Sequence, residues 1–261
     1  MSGRNRRSNM KKSYKERILS HMPSFVLELL IDYLFRKKPY VPTLCYHKVL
    51  PELEYTKEER MKEYSVRAST FEEQMRSLLR GGYSFLWENE YDRMRKKSVI
   101  ISFDDGWNDN YYIMFPIIKR LKIKVTINIT ANILMSDCSD QGFMTIDQIR
   151  EMQESGLVSF EAHSVNHKKL AQCSLDDAEY EITECKKIIK EKIGVDSEVF
   201  ACPHESCNFE TMKILMEHFK MAYSYFDYPL QKHKYCIQRL YVHDDSTYKD
   251  IQMGIIGRIL K

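Results

Sequence analysis

The sequence lacks any run of about eighteen apolar residues, the length that spans a membrane. Its best candidate, Phe25 to Phe35, is broken by Glu28 and Asp32. No small-residue cleavage site follows, which argues against a secretory signal peptide and makes an intracellular, cytoplasmic location the expectation. Cysteine is too sparse and irregular for a disulfide framework. The seven cysteines are an odd number spread over 261 positions, a usage that suits a reducing compartment. A large excess of one charge is also missing. The formal net charge of +3 is too balanced for a nucleic-acid-binding surface, so no nucleic acid partner is expected. With 43% apolar and 30% charged residues, the chain is neither disordered nor fibrous in composition.

The balance hides an asymmetry. Residues 1–39 hold ten Lys/Arg and three Asp/Glu, leaving 30 basic against 34 acidic residues in the rest. This divides the chain into a basic leader with an amphipathic helix (1–39) and a main domain (40–261). The first twenty residues read as flexible. Residues 24–35 read as helix, with Arg36, Lys37 and Lys38 at the end where cations suit the helix dipole. Such a helix either packs on the domain or, with its basic arm, makes peripheral contact with an anionic membrane.

From residue 40 onwards, short β-branched or apolar runs alternate with longer amphipathic stretches. The predicted strands are Pro42–Tyr46, Val99–Phe103, Lys124–Ile129, Leu157–Ala162, Glu198–Cys202, Met221–Ser224 and Ile237–Val242. Helix signals fall between them: Thr70 before Phe71, Thr145 with Gln148 as a capping box, Ser174 with Asp177, and Asn208. The stops are Gly81-Gly82, Gly156 and Gly194. Alternation of this kind predicts parallel strands, in a doubly wound sheet or a (β/α) barrel. Seven strands without a glycine-rich phosphate loop after the first favour the barrel.

Function in such folds gathers at the carboxyl ends of the strands. There the sequence places His47, Asp104-Asp105-Gly106, His163 and Pro203-His204. Adjacent carboxylates at a strand end need a cation or strong donors nearby if they are buried, although turns and helix caps use Asp pairs as well. His163 and His167, spaced i and i+4, can converge on one ion. With one Asp they make a two-His, one-carboxylate set that leaves positions open for water and substrate. Cys202-Pro203-His204-Glu205-Ser206-Cys207 could also bind a structural zinc but lacks an obvious fourth partner. His243 and Asp244-Asp245, beyond the last strand, read as a solvated turn capping the final helix with Ser246 or Thr247.

At these residues the chain resembles the polysaccharide deacetylase family of metal-dependent carbohydrate esterases. Ser102-Phe103-Asp104-Asp105-Gly106-Trp107 is similar to the family's Asp-Asp motif, and His163–His167 to its His-Ser/Thr-x-x-His motif. Phe200-Ala201-Cys202-Pro203 resembles its Phe-Ala-Tyr-Pro segment. Cys45-Tyr46-His47-Lys48-Val49 and Gln238-Arg239-Leu240-Tyr241-Val242 resemble the permuted poly-N-acetylglucosamine deacetylase branch. The resemblance covers roughly residues 40–243. Departures lie at Cys202, His204 and Glu205, where Tyr, Tyr and Gly are usual.

The resemblance implies a distorted (β/α) barrel of about seven parallel strands and hydrolysis of an N-acetyl group from a sugar or saccharide precursor. Carried over, Asp105, His163 and His167 hold a divalent metal, with Zn²⁺ expected and Co²⁺ or Ni²⁺ as alternatives. Asp104 is the general base, His47 the general acid, the His204 backbone N–H an oxyanion donor, and Arg239 the candidate that orients the base. Tyr46, Trp107 and Phe143 are candidate sugar platforms that a core role would equally explain. The alternative reading is a catalytically impaired glycan-binding protein of the same fold.

Overall fold

The computed structural model describes residues 14–37, 40–52, 64–93, 97–136, 138–225 and 234–260. The most basic part of the leader, residues 1–13, lies outside the described residues.

Seven short strands run parallel in one curled sheet: β1 (Thr43–Tyr46), β5 (Ser98–Asp105), β6 (Val125–Ile129), β7 (Val158–Ala162), β8 (Val199–Ala201), β9 (Met221–Tyr223) and β10 (Leu240–Tyr241). The order across the sheet is β10-β1-β5-β6-β7-β8-β9. A parallel bridge from Tyr223 to Ile237 ties β9 to the segment that runs into β10, so the sheet curls round as a half-barrel. All seven strands predicted from the sequence lie in this sheet, with shifted ends. Three further strands carry too few residues to show a period: β2 (Lys48–Leu50) paired with β3 (Ser65–Arg67), and β4 (Ser84–Phe85) on the edge of β5.

Helices cover the outside. α3 (Ala68–Arg80) begins before Thr70, because Asp244 accepts a hydrogen bond from the Arg67 backbone N–H at 2.8 Å and sets the entry into the helix. Asp244 also pairs with the Arg67 side chain at 2.9 Å, so it is not the solvated turn residue that the sequence suggests. After α4 (Phe115–Leu121), the Thr145–Gln148 capping box opens α5 (Ile146–Glu154). Ser174 caps α6 (Leu175–Ile193), which ends at Gly194, and Asn208 caps α7 (Phe209–His218). Thr247 caps α8 (Tyr248–Ile259). The main apolar core runs between sheet and helices and includes Phe71, Phe103, Ile127, Phe160, Ile182 and Phe200.

The described part of the leader, residues 14–37, is helical and docked on the domain. Tyr14–His21 forms α1, which docks against α8 through buried Leu19 and a Lys249 Nζ–Ser20 O hydrogen bond of 2.8 Å. α2 (Ser24–Lys37) also packs on α8 and buries Leu27, Ile31 and Leu34 in the core. Its acids are engaged: Asp32 and Glu28 both pair with Lys97. No helix among the described residues is long and apolar enough to cross a membrane.

Candidate active site

Parallel strands deliver their carboxyl ends to a single rim, and the sequence-predicted residues meet there. β5 ends in Asp104 and Asp105, which alternation would send to opposite faces. Asp104 stays in the sheet and points into the half-barrel, buried to 2% exposure. Asp105 takes a left-handed φ of 78°, which turns its carboxylate along the rim. Gly106 continues the turn at φ 91°. A Cβ there would lie 2.8 Å from Ile133 Cδ1 and 3.0 Å from Ile129 Cγ1, so glycine is required on both counts.

Six non-glycine residues among those described have positive φ, and five of them (Asp105, Ser164, His167, His204 and Glu205) sit on this rim. Each such residue stores about 1–3 kcal/mol, a cost that concentrates at functional sites.

Three ligand atoms converge. The Nε2 atoms of His163 and His167 lie 3.4 and 3.2 Å from Asp105 Oδ1. One donor atom from each residue falls within 4.8 Å of the others, the only such group of His, Cys, Asp or Glu among the described residues. The Cys202–Cys207 segment therefore makes no second cluster of that kind. His163 shares a 2.8 Å hydrogen bond between Nδ1 and the Ala201 carbonyl. A carbonyl only accepts, so Nδ1 carries the proton and Nε2 presents a lone pair to the rim, the arrangement of a metal-ligating imidazole. Asp105 Oδ1 is buried with no hydrogen-bond partner, while Trp107 Nε1 donates to its Oδ2 at 2.9 Å. A buried carboxylate oxygen without a hydrogen-bond partner, beside two imidazole nitrogens, fits a divalent cation.

Burial alone would raise the Asp105 pKa, but His163 and His167 hold it well below the ordinary carboxylate range. Burial would lower that of His163, yet the Asp104 and Asp105 carboxylates raise it overall.

Asp104 has a different environment. Arg239, 1% exposed, donates from Nη1 to Oδ1 at 2.6 Å and from Nη2 to Oδ2 at 2.7 Å. Asn128 Nδ2 adds a bond to Oδ1 at 2.8 Å, and Cys45 Sγ lies 3.7 Å from Oδ2. Burial pushes the Asp104 pKa up, and the Arg239 guanidinium together with His163 and His47 more than reverses this, keeping the carboxylate ionised. Behind Arg239 stands a buried support. The Tyr223 ring lies 5.0 Å from the guanidinium carbon, and the Tyr223 hydroxyl donates to Glu88 Oε1 at 2.7 Å. Thr126 Oγ1 holds the other Glu88 oxygen at 2.6 Å.

His47, between β1 and β2, brings Nε2 to 4.0 Å from Asp104 Oδ2. Its ring lies between Tyr64 and Tyr241, at 5.1 and 6.4 Å, and its carbonyl accepts from Asn110 Nδ2 at 2.9 Å. Burial lowers the His47 pKa, and the Asp104 and Asp105 carboxylates offset this only in part. His204, in the turn after β8, stands outside the ligand group with its ring 4.7 Å from that of His167. Tyr46 is core, packed between Phe71 and Phe103. Trp107 stacks on Phe143 at 4.5 Å beside the rim. Asn128, Tyr223 and Glu88 are the site residues that the sequence left unmarked, since each lies inside a strand or short helical turn with no motif around it, while Cys45 falls in a quoted motif but received no role.

The polysaccharide deacetylase family profile matches residues 91–222, just over half of the chain. YxkH of Bacillus subtilis strain 168, named for this same family, is 28% identical over 184 residues. That match covers 68% of this chain and 61% of the relative, so this chain spans less than two thirds of it. A poly-beta-1,6-N-acetyl-D-glucosamine N-deacetylase of Staphylococcus aureus is 25% identical over 218 residues, 74% of this chain and 72% of that one. In fold, the Streptococcus pyogenes deacetylase PplD, solved in complex with acetate, matches with a TM-score of 0.71 at 24% identity. The overlap covers 81% of this chain and 96% of that one.

Proposed function

Because this chain belongs to the polysaccharide deacetylase family, we propose that it is a metal-dependent hydrolase that removes an N-acetyl group from a sugar, saccharide precursor or polysaccharide. One observation carries the reading. An open carboxylate–imidazole triad of Asp105, His163 and His167 stands beside a second carboxylate, Asp104, that is buried, ionised and held by Arg239.

Asp105, His163 and His167 would hold a divalent ion, Zn²⁺ being the proposal and Co²⁺ or Ni²⁺ the alternatives. When bound, that ion polarises the acetyl carbonyl and lowers the pKa of water at the site. The remaining work falls to the protein. Asp104 takes the proton of the attacking water; both its oxygens already accept from Arg239, so it acts as a fixed acceptor. The oxyanion that develops on the acetyl carbon is met by a backbone N–H, assigned here to His204. An amine leaves poorly unless protonated, and His47, on the other side of Asp104 from the triad, supplies that proton. With its pKa lowered by burial, the free imidazole is mostly neutral at neutral pH, so as the acid it must take up a proton during turnover, and the Asp104 carboxylate 4.0 Å away favours that charge.

Acetate release from a panel of N-acetylglucosamine oligomers, nucleotide sugars and lipid-linked sugars tests the reaction. Release from at least one member is expected. Binding without any release would favour the impaired glycan-binding protein instead.

Peripheral membrane contact is the accompanying proposal for location, with the protein kept in the reducing cytoplasm. The outer face of α2, whose last turn carries Arg36 and Lys37, exposes Phe25 (68%), Leu29 (65%) and Tyr33 (57%). Co-sedimentation with anionic vesicles that survives Phe25→Ser and Leu29→Ser together would reject this contact.

A further inference from the structure

Trp107 follows the Asp105–Gly106 turn, and the fold fixes both its backbone and its ring. Asn108 N–H donates to Gly142 O at 2.8 Å and Met144 N–H to Gly106 O at 3.0 Å, which sets an antiparallel bridge between Trp107 and Phe143. Phe143 stacks on the indole at 4.5 Å with the ring planes 18° apart. Lys48 Nζ, from the start of β2, lies over the ring 4.3 Å from its centre, a cation–π contact. An indole with Phe143 against it and an ammonium over its ring is a post rather than an open platform for a sugar.

The edge of that post is what reaches the site. Trp107 Nε1 donates to Asp105 Oδ2 at 2.9 Å, the one hydrogen bond made to this carboxylate among the described residues. Asp105 leaves β5 with a left-handed φ of 78°, so its side chain lies beyond the ladder that holds Asp104. A carboxylate turns easily about its Cβ–Cγ bond, over a broad and roughly two-fold well. A fixed donor on one oxygen stops that rotation. With Oδ2 tied to the indole, Oδ1 is the oxygen kept 3.4 and 3.2 Å from the Nε2 atoms of His163 and His167, with no hydrogen-bond partner of its own.

We propose that Trp107 is a positioning residue for the metal centre: its indole N–H fixes the Asp105 carboxylate so that Oδ1 is the oxygen offered together with the two imidazoles. It acts through Asp105. The Ala201 carbonyl restrains His163 in the same way, at 2.8 Å from Nδ1, and Trp107 gives the carboxylate the matching restraint. Partners of this kind behind a metal ligand are worth about 10–100-fold in metal affinity. The inference rests on the metal-dependent reading of Asp105, His163 and His167.

The test strips the full chain with a chelator and titrates Zn²⁺ back against a chromogenic chelator, so that affinity is read without turnover. Trp107→Phe keeps a six-membered ring for Phe143 and Lys48 but loses the N–H. Trp107→His gives up more of the ring system but keeps an N–H at the matching position of a five-membered ring. Wild type should bind Zn²⁺ tightest, Trp107→His next and Trp107→Phe weakest, about 10–100-fold below wild type. Melting temperatures of the metal-free chains should run the other way between the variants, with Trp107→Phe above Trp107→His, because packing follows ring size. Equal affinity in wild type and Trp107→Phe, or affinities that fall in the same order as the melting temperatures, would overturn the proposal. If Trp107→Phe does not fold, Trp107→His decides alone: affinity within about tenfold of wild type upholds the donor, and a larger loss overturns it. A wild-type chain that takes up no Zn²⁺ would remove the metal-dependent reading and this inference with it, whereas Zn²⁺ held equally by wild type and Trp107→Phe removes the inference alone.

Discussion

Arg239 grips Asp104 with two parallel hydrogen bonds, 2.6 and 2.7 Å long, across 135 positions of sequence. Both residues are nearly inaccessible, so the guanidinium supports the charge and direction of the carboxylate where water would otherwise do so. Arg239→Lys keeps the charge but replaces a planar fork by a point donor. Turnover should fall by about 10²-fold while metal content stays at the wild-type level, measured by elemental analysis beside acetate release. Unchanged turnover would remove Arg239 from the account.

The role of His47 separates by leaving group. His47→Ala should cost on the order of 10²-fold or more on an N-acetyl sugar, whose amine needs a proton to depart. An acetate ester with a phenolate leaving group needs little protonation, and the same variant should lose far less there. Equal losses on both substrates would assign His47 a purely structural place between Tyr64 and Tyr241.

Asp109 gives a pH signature in stability. It is buried, and burial pushes its pKa up to about 7 despite hydrogen bonds from Val49 N–H at 2.8 Å and Asn110 Nδ2 at 2.9 Å. The folded state thus binds a proton more tightly than the unfolded chain, where Asp titrates near 3.9. Its contribution is complete below about pH 4 and is lost as pH rises through about 7. Asp109→Asn should flatten the fall in melting temperature between about pH 5 and pH 8. An unchanged slope would show that Asp109 is already ionised in the fold.

Much of this was legible because parallel strands have a simple grammar. Runs such as Val125–Ile129, buried at every residue, announce themselves by composition, and their ends expose the residues that follow. His47, Asp105, His163 and His167 were visible for that reason. Arg239 could be named only through its family resemblance, since nothing local tells an arginine before a strand that it will meet Asp104. Glu88 and Tyr223 had no signal at all. Their hydroxyl–carboxylate contact of 2.7 Å is made across the half-barrel by residues with no motif around them. α1 and the early start of α3 were missed because tertiary partners, Lys249 on one and Asp244 on the other, decide those ends.

The central claim is that adjacent aspartates divide the work, Asp105 holding the ion and Asp104 taking the proton. Metal content and acetate release measured together on Asp104→Asn and Asp105→Asn test it most directly. The account predicts that Asp104→Asn retains its metal while turnover collapses, and that Asp105→Asn loses both. Loss of metal from Asp104→Asn with retention in Asp105→Asn would contradict it.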